Sequence, residues 1–347
     1  MPAKKTGKAT AKKWVLWGIA GILIAAIYFG ILFFGPNTGN FRGHTYFFIH
    51  TGSDYSEVVS GLSGQGIIKN RGSFDWLARH LDYPQHIHAG RYRILQGMSD
   101  FSIVRMLRSG RQTPVRLVIN KLRTKSDLIQ WLTAYLEPDA LTWSTRLGNP
   151  DFLKPFGLDT NTVMCMVIPD TYEIYWNSSP GQVFKKFYQA YQSFWTPRRR
   201  QLAAIHGLSP CQVTILASIV DEETNHSRDK PWIAGVYLNR LNRGMPLSSD
   251  PTVKFAMDDF SIRRVYTKYT QYPSPYNTYL HAGLPPGPIC TPSTQSIEAV
   301  LHSQPSDYLY FCARPDFTGY LVFAATWAEH EKNARRYQHF LDSLHLK

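Results

Sequence analysis

The sequence predicts an α+β chain in three parts: an N-terminal transmembrane helix, a small α+β module and a larger mixed α/β domain. Three observations carry this reading. An uncharged apolar run occupies residues 14–34. Short aromatic and β-branched runs then alternate with helical periodicity over residues 41–117. The remainder, residues 118–347, is long enough for a domain of its own and holds the motifs that carry chemistry. A composition of 44% hydrophobic and 18% charged residues is globular and excludes a disordered chain.

The run WVLWGIAGILIAAIYFGILFF is long enough, at about 1.5 Å per residue, to cross a hydrocarbon core of roughly 30 Å. A cleaved signal peptide would have an apolar region of about 7 to 15 residues ending in a small-x-small site. Here bulky Ile31, Leu32, Phe33 and Phe34 lead into Gly35-Pro36, so an uncleaved anchor is expected. Lys4, Lys5, Lys8, Lys12 and Lys13 make residues 1–13 a basic tail, and Gly35 to Asn40 carry no charge. By the positive-inside rule the tail is cytoplasmic and everything from about residue 40 lies outside. That placement disfavours ATP- and nicotinamide-dependent chemistry, and no G-x-x-x-x-G-K-[ST] or strand-borne G-x-G-x-x-G is present.

The formal net charge of +13 includes that tail; without its five lysines, 33 basic residues face 25 acidic ones. Such an excess favours polyanions without choosing among phosphate, anionic lipid and cell-wall polymer. Four cysteines, at 165, 211, 290 and 312, include no C-x-x-C pair and argue for no disulfide scaffold, zinc ribbon or redox motif.

In the small module, Thr45–Ile49, Arg91–Leu95 and Val115–Ile119 read as strands, and Ser53–Leu62, Gly72–Leu81 and Asp100–Leu107 as helices. His86 and His88 lack a third metal-ligand candidate and read as a solvated loop. Arg198-Arg199-Arg200 reads as a solvated turn before a helix at Gln201.

The site argument rests on the next helix. Ser209-Pro210 is an N-cap followed by proline at the first helical position, and Cys211–Thr224 runs without a breaker. At about 100° per residue, Leu216, Ile219 and Val220 fall within roughly 60° of Glu223, placing Glu223 at the centre of the apolar stripe. Asp221 falls roughly 160° away on the opposite face, and Glu222 roughly 100° away at the stripe's edge. A carboxylate aimed at a core pairs, stays protonated or does chemistry. Two readings stay open: a structural ion pair with Arg240 or Arg243 of the following helix, Lys230–Arg243, or a catalytic acid with a raised pKa.

Beyond Gly244 come SSDPT (248–252), SPYNTY (274–279) and GLPPGPI (283–289), dense in residues that fix loop backbone. Tyr276, Tyr279, Asn277 and Thr278 offer flat faces and short polar groups suited to sugars; alternatively the loops pack over the core and Asn277 caps its own turn. No H-E-x-x-H, no G-x-S-x-G and no credible histidine triad is present.

LASIVDEET (216–224), YLNRLNRGMPL (237–247), DPTVKFAM (250–257), SPYNTY, GLPPGPI and YLYFCA (308–313) occur in that order. Together they resemble the YceG-like, MltG-type endolytic murein transglycosylases over most of residues 115–345, including IPDTYEIYW (168–176). Upstream, residues 41–117 resemble that family's LysM-like subdomain. In the family motif I-x-E-x-E-T the second acid is catalytic and matches Glu223; the first, usually glutamate, is here Asp221. The resemblance implies a YceG-like catalytic domain over 118–347. It further implies substrate contacts from Asp250, Thr252, Ser274, Tyr276, Asn277, Thr278, Tyr279, Pro285 and Gly287, with support from Asp221, Asn239 and Arg240.

The implied chemistry needs one carboxyl. Glu223 would protonate the glycosidic oxygen between N-acetylmuramic acid and N-acetylglucosamine in nascent strands. Ionised, it would then deprotonate the sugar's own C6 hydroxyl, which closes onto C1 as a 1,6-anhydro end. Hydrolytic glycosidases generally need two carboxylates, so a muramidase using Glu223 with Asp250 is the enzymatic alternative. A non-catalytic, membrane-anchored wall-binding scaffold is the other. The expected partners are peptidoglycan glycan strands and, by the resemblance, peptidoglycan synthases, at the inner membrane. No cofactor, metal or nucleic acid is expected.

Overall fold

In the computed structural model the described residues are 7–316 and 318–343. Lys4 and Lys5 of the expected tail lie outside them. The first helix, α1 (Gly7–Phe34), starts inside the expected tail, and its apolar span covers Lys12–Phe34. The chain forms two compact units, one made of residues 1–115 and 175–177, the other of 116–174 and 178–347.

The first unit continues from α1 through β1 (His44–Ile49), α2 (Tyr55–Gly64), α3 (Arg71–His80), β2 (Gly90–Leu95) and α4 (Asp100–Arg108). β1 and β2 pair antiparallel, with Phe47 opposite Tyr92 and Ile49 opposite Gly90. Alternation along β2 turns Tyr92 and Ile94 inward, onto Phe47, Leu62, Phe74, Ile103 and Leu107. Each helix start carries a side-chain cap: Asp54, Asn70 and Ser99 accept from backbone amides of the first turn. The third expected strand does not join this sheet.

That strand, β3 (Val115–Val118), pairs instead with β4 (Thr171–Ile174), so the boundary falls at its start. Between them lie α5 (Lys125–Tyr135), α6 (Ala140–Leu147) and α7 (Pro150–Leu153). After β4 follow α8 (Pro180–Phe194), α9 (Pro197–Ile205), α10 (Pro210–Glu223), α11 (Lys230–Asn242), α12 (Asp250–Ala256) and α13 (Thr294–Leu301). A hairpin of β5 (Tyr310–Ala313) and β6 (Leu321–Ala324) and then α14 (Trp327–Ser343) complete it.

Two expectations change here. Arg198–Arg200 form the first turn of α9 rather than a solvated turn; Arg199 pairs with Glu298 at 2.6 Å and also donates to the Phe194 carbonyl. Two of the four cysteines matter as well: Cys165 and Cys211 form a disulfide that ties the segment before β4 to the first turn of α10.

Helix α10 is the axis of the second unit. Ser209 and Gln212 close a capping box at its start, with Pro210 at the first position. Residues Val213 through Asp221 are all buried, because α9, α11, α12 and α13 surround the helix. The face opposite Glu223 is therefore also interior.

Candidate active site

Glu223 is the last residue of α10, at the floor of a cleft of about 530 Å³. The cleft is also lined by Tyr237, Arg240, Ser248, Asp250, Tyr279, Tyr310, Trp327 and His330. Two hydroxyls meet its carboxyl, both at Oε1: Tyr237 from α11 and Ser249 from the loop before α12, each donating at 2.6 Å. Among the described residues Oε2 accepts no protein hydrogen bond and is not sealed from solvent, so it is the oxygen presented to the cleft.

Burial pushes the Glu223 carboxyl up from its ordinary range, and the nearby Asp250 charge pushes the same way. The hydroxyl donations from Ser249 and Tyr237 oppose it. Among the described residues no arginine pairs with Glu223. Arg240 instead donates to the carbonyls of Leu309, Pro246 and Leu247, pinning the cleft rim, so the structural ion-pair reading is not what the fold contains. Asn239 likewise holds backbone, at Ser306 and Tyr308, away from the carboxyl.

The segment SSDPT builds one wall. Ser248 sits at φ 52°, in the left-handed region that costs a non-glycine residue energy, and turns the chain so that Ser249 faces α10. Ser249 is the N-cap of α12 by position, yet its hydroxyl makes no capping bond and goes to Glu223 instead. The Ser249 amide donates to Thr278 Oγ1, and Thr252 Oγ1 donates to the Ser249 carbonyl and meets Thr278 Oγ1 at 2.8 Å. Both threonines are fully buried, so they brace Ser249 rather than face the cleft. Asp250 does face it, accepting from Tyr279 Oη at 2.6 Å.

The other expected contacts do not line this cleft. Asn277 is fully buried; its amide donates to Thr270 and Tyr272 carbonyls and its oxygen accepts from the Tyr279 amide. These hydrogen bonds are those of the turn-holding role. Ser274 accepts from the Tyr276 amide, and Tyr276 packs on Phe255 with ring centroids 4.8 Å apart. Pro285 and Gly287 are buried, and a Cβ on Gly287 would meet the Asn161 carbonyl oxygen at 2.1 Å. Only glycine allows that approach.

Asp221 anchors a separate ionic cluster on the far side of α10. Lys230 at 2.9 Å and Lys121 at 2.8 Å reach its two oxygens, with Ser293 and Ser296 completing the set. Burial works against its charge, but the bonds from Lys121, Lys230, Ser296 and Ser293 outweigh it and hold the carboxyl well below the usual range. Glu222 pairs with Lys121 and Arg123 at the edge of this cluster.

Tyr237, Ser249, Tyr310, Trp327 and His330 were not singled out by the sequence reading. Tyr237 is the first residue of YLNRLNRGMPL and Ser249 lies within SSDPT, so both stood inside recognised motifs. Tyr310 lies within YLYFCA as well, whereas Trp327 and His330 stand in no motif and line the cleft through α14.

A mixed α/β unit thus holds one partly desolvated, hydroxyl-tethered carboxyl in a polar, aromatic-lined cleft. Residues 47–336 match the YceG-like family, and the chain belongs to that family. It is 29% identical over 309 residues to a Bacillus subtilis protein named endolytic murein transglycosylase, covering 83% of each chain. A Streptococcus pneumoniae protein of the same name is 26% identical over 329 residues, which are 86% of this chain but 59% of that relative. The fold is similar to the crystal structure of a yceG-like protein from Listeria monocytogenes, with TM-score 0.54 and 27% identity over 84% of this chain and 99% of that one.

Proposed function

We propose that this chain is a membrane-anchored endolytic lytic transglycosylase of peptidoglycan. The observation that carries the reading is the asymmetry at Glu223: Oε1 held by two hydroxyls, Oε2 free toward a cleft of about 530 Å³. A carboxyl raised by burial keeps its proton nearer to neutral pH, as a general acid requires. Oε2 gives that proton to the glycosidic oxygen between N-acetylmuramic acid and N-acetylglucosamine. The C1–O bond breaks, the C6 hydroxyl of the muramyl residue attacks C1, and its proton returns to Oε2. One 1,6-anhydro end and one new N-acetylglucosamine hydroxyl result, with no water consumed. Asp250, fixed by Tyr279, supplies negative charge for the developing oxocarbenium ion.

The names of the relatives support the substrate class, and α1 supports a single-pass anchor with the two units outside the cytoplasm. The disulfide fits an oxidising compartment. The self-contained two-stranded sheet with its helices supports a LysM-like, glycan-binding reading of the first unit. Association with peptidoglycan synthases belongs to the same proposal.

The test is mass spectrometry of purified peptidoglycan digested with the full chain. Anhydro-muramyl ends are expected. Reducing muramyl ends would establish the muramidase alternative with Asp250 as second carboxylate, and uncut strands the scaffold.

A further inference from the structure

The anchor does not end in a free linker. Asn37, three residues past α1, is locked to the starts of α3 and α4: it donates to the Asn70 carbonyl at 3.0 Å and to Asp100, and accepts from the Asn70 amide at 2.7 Å. One side of the last turns of α1 packs on the unit, while Phe29, Ile31 and Phe34 stay exposed. Phe33 is 8% exposed and stacks on Trp76 of α3 at 4.8 Å, Phe29 lies 6.4 Å from the same ring, and Phe34 meets Phe101 of α4 at 5.0 Å.

These contacts fix a depth. Phe29 is five residues before the helix end, about 7.5 Å lower along its axis. A ring that reaches from Phe33 to Phe29 is therefore level with the outer edge of the span. Trp76 is nonetheless 47% exposed, so part of it faces whatever surrounds the anchor there. His80 stacks on the same indole at 3.7 Å, giving an aromatic plate with polar ends. Indole at that level, half apolar and half hydrogen-bonding, is the side chain that settles at headgroup depth. Residues 41–114 carry nine lysines and arginines against five acids; of those acids Asp100 is buried and Asp75 is tied to Arg79. The remaining positive excess suits anionic headgroups.

Resting on the anchor reading, we propose that the face of the first unit formed by α3 and the first turn of α4, centred on Trp76 and Phe101, seats in the lipid headgroup layer. The unit thus contacts the membrane through a second, non-spanning surface.

The experiment uses the full chain in nanodiscs of phosphatidylglycerol and phosphatidylcholine, with Cys312→Ser to remove the accessible thiol; Cys290 is buried. A fluorophore is attached at His80→Cys, beside Trp76, or at Ile22→Cys in mid-span. Nitroxide on the lipid headgroup should cost the His80 site most of its emission, and aqueous iodide should quench it little. The proposal is overturned if that site is quenched by iodide and unaffected by the nitroxide while the Ile22 site is quenched by acyl-chain nitroxide. If the Ile22 site is also open to iodide, the anchor reading fails and this one with it. Unchanged murein cleavage by the labelled chain shows that the variants fold.

Discussion

Ser249 and Glu223 stand 26 residues apart in sequence, yet the serine hydroxyl lies 2.6 Å from the glutamate's Oε1. The hydroxyl that would ordinarily cap α12 is spent on the carboxyl, so Ser249 acts on the charge of Glu223 more than on the stability of its own helix.

Replacing Glu223 by Gln keeps the acceptor for both hydroxyls and removes the transferable proton. Murein cleavage should fall by roughly 10²–10⁴-fold or more, with an unchanged melting temperature. Near wild-type cleavage would refute the assignment. Glu222→Gln should be mild by comparison, since Glu222 bonds outward to Lys121 and Arg123.

Tyr237→Phe and Ser249→Ala each delete a donor that favours ionised Glu223. Losing it raises the carboxyl's pKa further, so the acid form persists to higher pH. The alkaline limb of the pH–rate profile should move up by roughly 1 to 2 units, the equivalent of one hydrogen bond to a charged group. A limb that stays in place, or moves down, would contradict the role given to these hydroxyls. Ser249→Ala should also leave the melting temperature nearly unchanged, because no cap is lost.

Asn277→Ala should act on the fold. Its amide holds two carbonyls inside the loop, and losing buried partners costs about 1–3 kcal/mol. Thermal unfolding should show that loss while activity per folded molecule is kept. Lost activity at an unchanged melting temperature would return Asn277 to the glycan.

Asp221→Asn leaves Lys230 buried without its counter-charge and should destabilise by about 3–5 kcal/mol. The sign with pH follows from the depressed carboxyl pKa. The wild-type contribution is complete above the ordinary aspartate range and is lost as pH falls toward the lower, folded-state value. In acid unfolding, the difference between wild type and variant should therefore shrink as pH is lowered.

Removing the disulfide by the double variant Cys165→Ser and Cys211→Ser opens a 46-residue loop and should cost about 4 kcal/mol by the chain-entropy relation. Calorimetry of the variant against wild type measures it.

The apolar helix α1, the helices of the first unit and α10 were legible because each is local: an uninterrupted apolar run, capped amphipathic segments, a proline after serine. Glu223 was legible for the same reason, through its position on the stripe of α10. What the periodicity could not supply was the far side. Asp221 looks outward on a helical wheel, but α13 arrives from more than 70 residues later in the chain and buries it. The motif loops did not separate wall from brace: Asp250 and Tyr279 line the cleft, whereas Thr252, Thr278 and Asn277 are buried in hydrogen bonds. β3 was misassigned to the small sheet because a strand's sequence carries its pattern but not its partner.

Tyr175–Asn177 belong to the first unit although they follow β4 of the second, and Trp176 packs there against Phe48 and His50 at about 5 Å. The chain therefore crosses between its units three times. An inheritance event that moved residues 1–115 onto another protein would leave Trp176 behind, and one that exchanged the rest would carry it away. Such a pair is expected to be inherited as a single cassette, and relatives that differ in one unit to have changed it by substitution in place rather than by swapping.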